Sequence, residues 1–211
     1  MYCGGGRGRY VALTFDDGPG RYTQRVIGLL ARAHARATFF VVGDRVRYWP
    51  GVVRTELDEH AVGNHTWDHT RLPGLGARAT YAEVSRTQSE LVRTTGVRPL
   101  LFRPPYELMT GAAVRITRAL GLAVVLWSVD SGDSAPGATP DAVARTVIAH
   151  LRPGAIVLMH DLRPASVHAL PRILRAIRRL HLRAVTVPEL VALDPPSHAQ
   201  LFVTRPSGRC P

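Results

Sequence analysis

Short apolar runs alternate with segments of helical periodicity along almost the whole chain. The apolar runs predict strands at 9–15, 37–42, 99–103, 122–129, 154–160 and 182–187. Apolar residues at helical spacing predict helices at 24–35, 52–60, 81–96, 111–121, 139–151 and 170–180, and a last short helix from Pro188. Strands that are apolar throughout are typical of a parallel sheet covered by helices. The sequence therefore predicts an α/β fold in one domain, most economically a barrel.

The composition excludes several classes of protein. A hydrophobic fraction of 45% and a charged fraction of 20% are those of an ordinary globular chain. No apolar run approaches the ~20 residues of a membrane span, and we expect any export signal to be absent from this sequence. The net charge of +11 comes from 27 arginines and no lysine. It fits either a genome rich in arginine codons or attraction to a polyanion, but the arginines are scattered, so no nucleic-acid partner is expected.

The two cysteines, Cys3 and Cys210, lie at opposite ends of the chain. They are either two unrelated buried thiols or a disulfide that joins the termini, which often lie close together in single domains. A disulfide implies an oxidising compartment. We therefore expect a protein that is secreted or associated with the cell envelope.

Ionisable residues follow the predicted strands at five strand ends. Because the carboxyl ends of parallel strands meet at one face, these side chains should gather there. They are Asp16 and Asp17; His65 and His69, after a short "AVG" stretch and Asn64; Arg103 and Tyr106; Asp130 and Asp133; and His160 and Asp161.

His65 and His69 in "HTWDH" are four residues apart, so on a helical turn both imidazoles project from one face. Two surface histidines at this spacing are the commoner case. Asp17 adds an anionic third ligand, and a site with two histidines and one carboxylate leaves open positions, as catalytic zinc requires. A metal ion would also give the adjacent carboxylates Asp16 and Asp17 a positive partner.

Asp16 need not bind the metal: held ionised by Arg103, it can act as a general base. The alternative for "DDGP" is a capped turn. His160, placed across the barrel from Asp16, suits a general acid held by Asp130 or Asp133, whereas the alternative is a hydrogen-bonded core histidine. The remaining histidines are expected at the surface: His34, His60, His150, His168, His181 and His198.

Five motifs occur together and in order: "TFDDGP" (14–19), "HTWDH" (65–69), "RPPY" (103–106), "DSGD" (130–133) and "IVLMH" (156–160). In order and spacing they resemble those of the NodB-type polysaccharide deacetylases, carbohydrate esterase family 4. The resemblance runs from Tyr10 to Leu193. It implies a distorted (β/α) barrel of about seven parallel strands over residues 10–193. Residues 1–9 would be an N-terminal segment, and residues 194–211 a tail tied to it by the disulfide.

The resemblance also implies roles for individual residues. Asp16 would be the base and His160 the acid, with Arg103 orienting Asp16 and one Asp of "DSGD", Asp130 or Asp133, tuning His160. Asp17, His65 and His69 would bind a divalent metal, Zn²⁺ or alternatively Co²⁺. The substrate-binding residues would be Tyr106, whose N–H stabilises the oxyanion, Leu158 in the acetyl pocket, and Pro105.

The resemblance implies a metal-dependent hydrolase that removes N-acetyl groups from N-acetylglucosamine units of peptidoglycan or a chitin-like polymer, acting as a monomer. An O-acetyl esterase acting on xylan is the alternative within enzymes. A catalytically decayed carbohydrate-binding protein is the alternative from another class. Two positions depart from the family pattern: Ser134 stands where a Trp is usual and Glu107 where a Gly is usual. Both are expected to border the sugar groove, and Ser134 is expected to widen it beside Asp133.

Overall fold

The structure, a computed structural model, describes residues 1–197, and within this range parallel strands alternate with helices as predicted. The strands are β1 (Tyr10–Asp16), β2 (Thr38–Val41), β3 (Ala61–Asn64), β4 (Leu101–Phe102), β5 (Ala123–Val124), β6 (Val129–Asp130), β7 (Ile156–His160) and β8 (Arg183–Val185). The helices are α1 (Thr23–Arg32), α2 (Gly43–Val46), α3 (Pro50–Glu59), α4 (Ala77–Thr95), α5 (Gly111–Ala119), α6 (Pro140–His150), α7 (Pro164–Arg179) and α8 (Val187–Leu193).

Seven strands form one curved parallel sheet in the order β5-β4-β3-β2-β1-β7-β6, and β8 pairs with the first half of β1. The two outer strands of this order, β5 and β6, are not paired with each other, so the sheet is a barrel that stays open along one seam. The predicted single-domain α/β fold, a distorted barrel of about seven strands, is confirmed.

Alternate residues of the central strands enter two separate apolar layers. Leu13, Phe15 and Phe39 pack outward, in the large cluster between the sheet and the helices. Ala12, Phe40 and Ile156 point the other way, into a smaller cluster inside the curved sheet. Burial on both faces explains why these strands are apolar throughout their length. Because both faces of these strands are apolar, polar side chains collect at the carboxyl ends of the strands.

The helix ends follow the local sequence. Thr139 caps α6, because its side chain accepts a hydrogen bond from the Ala142 N–H, and Pro140 occupies the first turn, where no N–H is needed. Gly96 ends α4 in the left-handed conformation, with φ 74°. Thr186 and Glu189 form a capping box at the start of α8.

The apolar run 122–129, predicted as one strand, is instead two short strands separated by residues 125–128. The physical reason is the Arg103 side chain. Its Nε donates to the Val125 carbonyl at 3.1 Å and its Nη2 to the Leu126 carbonyl at 3.1 Å. Because these two carbonyls accept hydrogen bonds from a buried guanidinium rather than from a neighbouring strand, the strand ladder is interrupted at residues 125–128.

Two further expectations need correction. Helix α7 begins at Pro164 rather than at residue 170, and Pro171 lies inside it. His60 is not a surface residue: it is 7% exposed, with its ring centroid 5.4 Å from that of Phe39. His34, His150, His168 and His181 are exposed, whereas His198 lies outside the described residues.

Residues 194–197 and the N-terminal segment lie against each other. The Asp194 carboxylate accepts hydrogen bonds from the N–H groups of Arg7 and Gly8, and its carbonyl accepts one from Gly5. Cys3 is buried, but Cys210 lies outside the described residues, so the disulfide between them stays a prediction. Within residues 1–197, no helix has the length and apolar character needed to cross a bilayer.

Candidate metal centre and active site

The ionisable residues predicted at the strand ends do gather at one end of the barrel. Asp16 ends β1 and His160 ends β7, and the two residues are register partners in neighbouring strands. The expectation that His160 lies across the barrel from Asp16 is therefore wrong. Adjacent strands bring the two side chains closer together than opposite strands would.

Asp17, His65 and His69 form one cluster in which the ligand atoms lie within 4.8 Å of one another. The Asp17 Oδ1 atom is 3.6 Å from His65 Nε2 and 3.2 Å from His69 Nε2. The predicted helical turn over residues 65–69 is absent: this segment is a loop in which Thr66 and His69 have positive φ values of 66° and 65°. The loop, rather than a helix face, brings the two imidazoles together.

Hydrogen bonds fix the orientation of His65. Its Nδ1 lies 2.7 Å from the Arg103 carbonyl, which can only accept, so Nδ1 donates and Nε2 is the ring nitrogen that faces Asp17. The neighbouring Asn64 side chain holds the start of the loop by accepting from the Thr66 N–H at 2.9 Å and donating to the Val84 carbonyl at 2.9 Å. His65 is 2% exposed, so this orientation is enforced by packing.

The cluster fits a divalent metal. Two imidazole nitrogens and one carboxylate oxygen are donors that Zn²⁺ and related ions accept. The Asp17 Oδ1 atom is buried and has no hydrogen-bond partner among the described residues, a costly state that a cation would relieve. Burial, followed by the positive charge that His65 can carry, lowers the pKa of His69 and favours the neutral imidazole that a metal requires.

Arg103 is fully buried and reaches Asp16 from inside the barrel. Its Nη1 donates to Asp16 Oδ1 at 2.7 Å and to Thr14 Oγ1 at 2.7 Å. Burial lowers the pKa of Arg103, whereas the charge of Asp16 opposes that shift. The predicted pairing of Arg103 with Asp16 is present, and Asp16 Oδ2 lies 3.7 Å from His65 Nε2, at the edge of the metal cluster.

His160, the neighbour of Asp16 in the sheet, is held by Asp133. The Asp133 Oδ1 atom is 2.7 Å from His160 Nδ1, and Asp133 Oδ2 accepts from the His160 N–H at 2.7 Å and from the Ser166 hydroxyl. Burial alone would lower the pKa of His160, but the hydrogen bond and charge of Asp133 outweigh it and raise that pKa to about 9. Burial would raise the pKa of Asp133, yet the bonds to His160 lower it.

The structure separates the two aspartates of "DSGD". Asp133 contacts His160, whereas Asp130 is exposed and its Oδ1 accepts a hydrogen bond from the Gly132 N–H at 2.9 Å, which stabilises the turn. Of the two aspartates that the sequence left open, Asp133 and not Asp130 is therefore the one that contacts His160. Ser134, which follows Asp133, is exposed, and its effect on the groove stays a prediction.

Of the predicted substrate-binding residues, Tyr106 is exposed beside the metal cluster, whereas Pro105 and Leu158 are buried. The Tyr106 ring packs edge-on against His69 with 4.7 Å between centroids, and its backbone adopts the left-handed region, φ 58°. Pro105 before it is buried. Leu158 is buried two residues before His160 in β7, so both side chains face the inside of the sheet.

Asp161 is a buried neighbour to which the sequence assigned no role. It is fully buried and accepts a hydrogen bond from the Thr23 hydroxyl, which in turn accepts one from the Gly20 N–H at 2.8 Å. A Cβ on Gly18 would approach Asp161 Oδ2 to 2.4 Å, so only glycine fits at that position. Asp161 thus buttresses the loop that carries Asp17. The position of Asp161 directly after an apolar strand is the sequence feature that could have indicated this role.

Comparisons with known proteins agree with this geometry. A family model described as polysaccharide deacetylase matches residues 4–125. A peptidoglycan-N-acetylglucosamine deacetylase, PgdA, of Listeria monocytogenes is 37% identical over 182 residues, which are 85% of this chain and 38% of that protein. A chitooligosaccharide deacetylase of a Bradyrhizobium species is 40% identical over 158 residues, 72% of this chain and 71% of that protein. The chain thus spans less than two fifths of the length of the Listeria relative.

A solved structure shows the same fold. The family 4 carbohydrate esterase from Streptomyces lividans, in complex with acetate, superposes with a TM-score of 0.80 at 35% identity and covers 84% of this chain and 92% of that one. The span matched by the family model, residues 4–125, contains the first three of the five ordered motifs. The chain belongs to the NodB-type polysaccharide deacetylases, carbohydrate esterase family 4.

Proposed function

We propose that this chain is a metal-dependent hydrolase that removes the acetyl group from N-acetylglucosamine units of a cell-wall polysaccharide, most specifically peptidoglycan. The observation that carries the proposal is the placement of two paired groups, Asp16 with Arg103 and His160 with Asp133, beside the cluster of potential metal ligands. Relatives named as deacetylases of peptidoglycan and chitooligosaccharides support the reaction. A cell-wall substrate implies that the protein works outside the membrane or in the envelope.

Asp17, His65 and His69 would hold the metal, and zinc suits their two nitrogens and one oxygen, with Co²⁺ as the alternative. When bound, such an ion polarises the acetyl carbonyl and lowers the pKa of a bound water. Tyr106 would offer its backbone N–H to the oxyanion, and Leu158 would line the pocket for the acetyl methyl group.

Asp16 and His160 would divide the proton transfers between them. Asp16 takes a proton from the attacking water as the carbon–oxygen bond forms, and Arg103 keeps the carboxylate oriented for this step. His160 gives a proton to the amide nitrogen as the carbon–nitrogen bond breaks, so that acetate and a free amine leave. Because the pKa of His160 is raised to about 9, the imidazolium is the dominant form at neutral pH, as an acid must be.

An amine is a poor leaving group unless it is protonated, so a strongly held imidazolium suits N-deacetylation. An O-acetyl esterase acting on xylan would need the same groups with an alcohol as leaving group. A decayed carbohydrate-binding protein would have no use for the paired base and acid. Acetylated xylan is therefore the control substrate, and the monomeric state stays a prediction.

The test is acetate release from peptidoglycan fragments, chitooligosaccharides and acetylated xylan, with the product masses measured. Chelation should abolish release, and Zn²⁺ or Co²⁺ should restore it. Asp16→Asn should retain the metal and lose turnover, whereas His65→Ala should lose the metal. Full activity in protein shown to be free of metal would contradict the metal site, and an Asp16→Asn variant that loses its metal would mean that Asp16 and Asp17 have exchanged roles.

A further inference from the structure

Arg71 stands at the mouth of the proposed active site. Its guanidinium carbon lies 4.9 Å from the centroid of the Tyr106 ring, and that ring packs against His69 with 4.7 Å between centroids. Two contacts, each shorter than 5 Å, therefore separate the positive charge of Arg71 from a residue of the metal cluster. A substituent on the sugar next to the reacting one would lie within reach of this cation.

The charge of Arg71 is not neutralised within the part of the chain that the structure describes. Arg71 is exposed and forms no ion pair among residues 1–197. Asp68, three residues before Arg71, does not pair with it. The Asp68 Oδ1 atom instead accepts hydrogen bonds from the N–H and the hydroxyl of Thr70. Glu107, next to Tyr106, accepts a hydrogen bond from the Tyr2 hydroxyl at 3.3 Å.

Stacking on Tyr106 restricts the Arg71 side chain before any ligand binds. The guanidinium lies over the ring, and its N–H donors form no hydrogen bond among residues 1–197, so they are available in the fork geometry that matches a carboxylate. A preordered arginine loses less side-chain freedom on binding than a mobile one. The arrangement therefore suits recognition of an anion at a fixed distance from the metal cluster.

We propose that Arg71 binds a carboxylate carried by the sugar adjacent to the one that is deacetylated, and so makes the enzyme selective for acidic over neutral glycans. The proposal rests on the deacetylase function proposed above. The lactyl ether of muramic acid supplies such a carboxylate in peptidoglycan, whereas chitin has no charged substituent. Arg71 would thus be a specificity-determining residue for the reaction and would take no part in proton transfer.

The experiment compares three tetrasaccharides of the same length. The first is neutral chitotetraose, the second alternates N-acetylglucosamine with N-acetylmuramic acid, and the third is the second with its lactyl carboxylates converted to methyl esters. The ester keeps the bulk and removes the charge. For each, kcat/KM is measured from acetate release at two ionic strengths.

We expect the wild-type enzyme to prefer the acid to its ester, and this preference to shrink at high salt. Arg71→Gln should reduce kcat/KM on the acid about 5-fold relative to the ester, mainly through KM, as for one partly exposed charge-assisted contact. Arg71→Lys should restore part of the preference. Arg86→Gln is the matched control, because the Arg86 guanidinium also stacks on a ring, Trp67, at 4.1 Å, and its loss should leave the ratio unchanged.

The outcomes separate the two proposals. If the wild-type enzyme releases acetate from none of these substrates, the proposed function fails. If it releases acetate and the ratio of acid to ester is the same in the wild type and in Arg71→Gln, the role of Arg71 is overturned while the function stands. An equal loss in Arg86→Gln would also overturn it, since the effect would then come from general surface charge.

Discussion

Two pairs of buried carboxyl groups in this protein differ in what faces them. Asp16 and Asp133, both 3% exposed, belong to the proposed active site, and each meets a cation: Asp16 the guanidinium of Arg103, and Asp133 the imidazole of His160. These carboxylates are therefore solvated by the protein itself. Each of these carboxylates thus has a positively charged or ionisable partner where the proposed chemistry needs a negative charge.

Glu56 in α3 and Asp161 after β7 are equally deep but have no such partner. Both Glu56 oxygens, and Oδ1 of Asp161, lack a hydrogen-bond partner among residues 1–197. Burial, followed by the charge of Asp161, raises the pKa of Glu56 well above its ordinary value, and burial raises that of Asp161 to about 7 against the opposing hydrogen bond from Thr23. The comparison teaches that burial alone does not mark a catalytic carboxylate: a buried carboxyl group without a cation has a raised pKa and holds its proton to a higher pH.

Removing the cation from the first pair should have the largest effect. Arg103→Met leaves Asp16 buried beside no positive charge and also leaves the carbonyls of Val125 and Leu126 without their donor. We expect a loss of about 3–5 kcal/mol in the free energy of unfolding and no measurable turnover. Urea denaturation and acetate release check this. A variant as stable as the wild type would show that the ion pair does not hold Asp16.

Asp133→Asn should change the pH profile more than the fold. Without the charge of Asp133, the pKa of His160 should fall from about 9, so the alkaline limb of kcat, where the acid loses its proton, should move to lower pH. The same shift acts on stability: a folded pKa above the unfolded 6.5 stabilises the wild type fully below pH 6.5, and this contribution disappears as the pH rises to about 9.

The measurements for this variant are kcat from pH 6 to pH 10 and urea denaturation at both ends of that range. Asp130→Asn is the matched control, because Asp130 is exposed and only stabilises a turn. An unchanged alkaline limb in Asp133→Asn would contradict the assignment of His160 as the acid.

Glu56→Gln should have the smallest effect and tests the second pair. A protonated carboxyl and an amide are similar in size and both neutral, so at pH 6 we expect the free energy of unfolding to change by less than about 1 kcal/mol, with activity unchanged. Urea denaturation and acetate release at pH 6 are the measurements. A large loss of stability would mean that Glu56 is charged and paired, and the distinction between the two pairs would fail.

The sequence predicted the alternation of strands and helices because it depends on periodicity, which is local. It also placed Asp17, His65 and His69 at one end of the sheet, since the ends of parallel strands coincide there. Sequence spacing could not decide between Asp130 and Asp133. That choice depends on the turn at Gly132, which has φ 72° and directs the two side chains differently.

The errors come from contacts between distant parts of the chain. The run 122–129 has the composition of one strand, and only the approach of Arg103 explains why it is interrupted. His60 follows a helix with a polar composition, and its burial against Phe39 depends on packing between α3 and the sheet. Helix α7 was predicted from residue 170, although it begins at Pro164. None of these long-range effects is visible in a local window.

The position of β1 in the sheet has a consequence for how the chain reaches its fold. This strand precedes the other strands of the sheet in the chain, yet it pairs with β7 and β8, whose residues lie far along the chain, at 156–160 and 183–185. Until they emerge, one edge of a strongly apolar strand has no native partner, and such edges pair readily with other chains. Contacts of such long sequence separation also slow folding. The strand that carries Asp16 is therefore exposed to misassembly until the last third of the chain is available to pair with it.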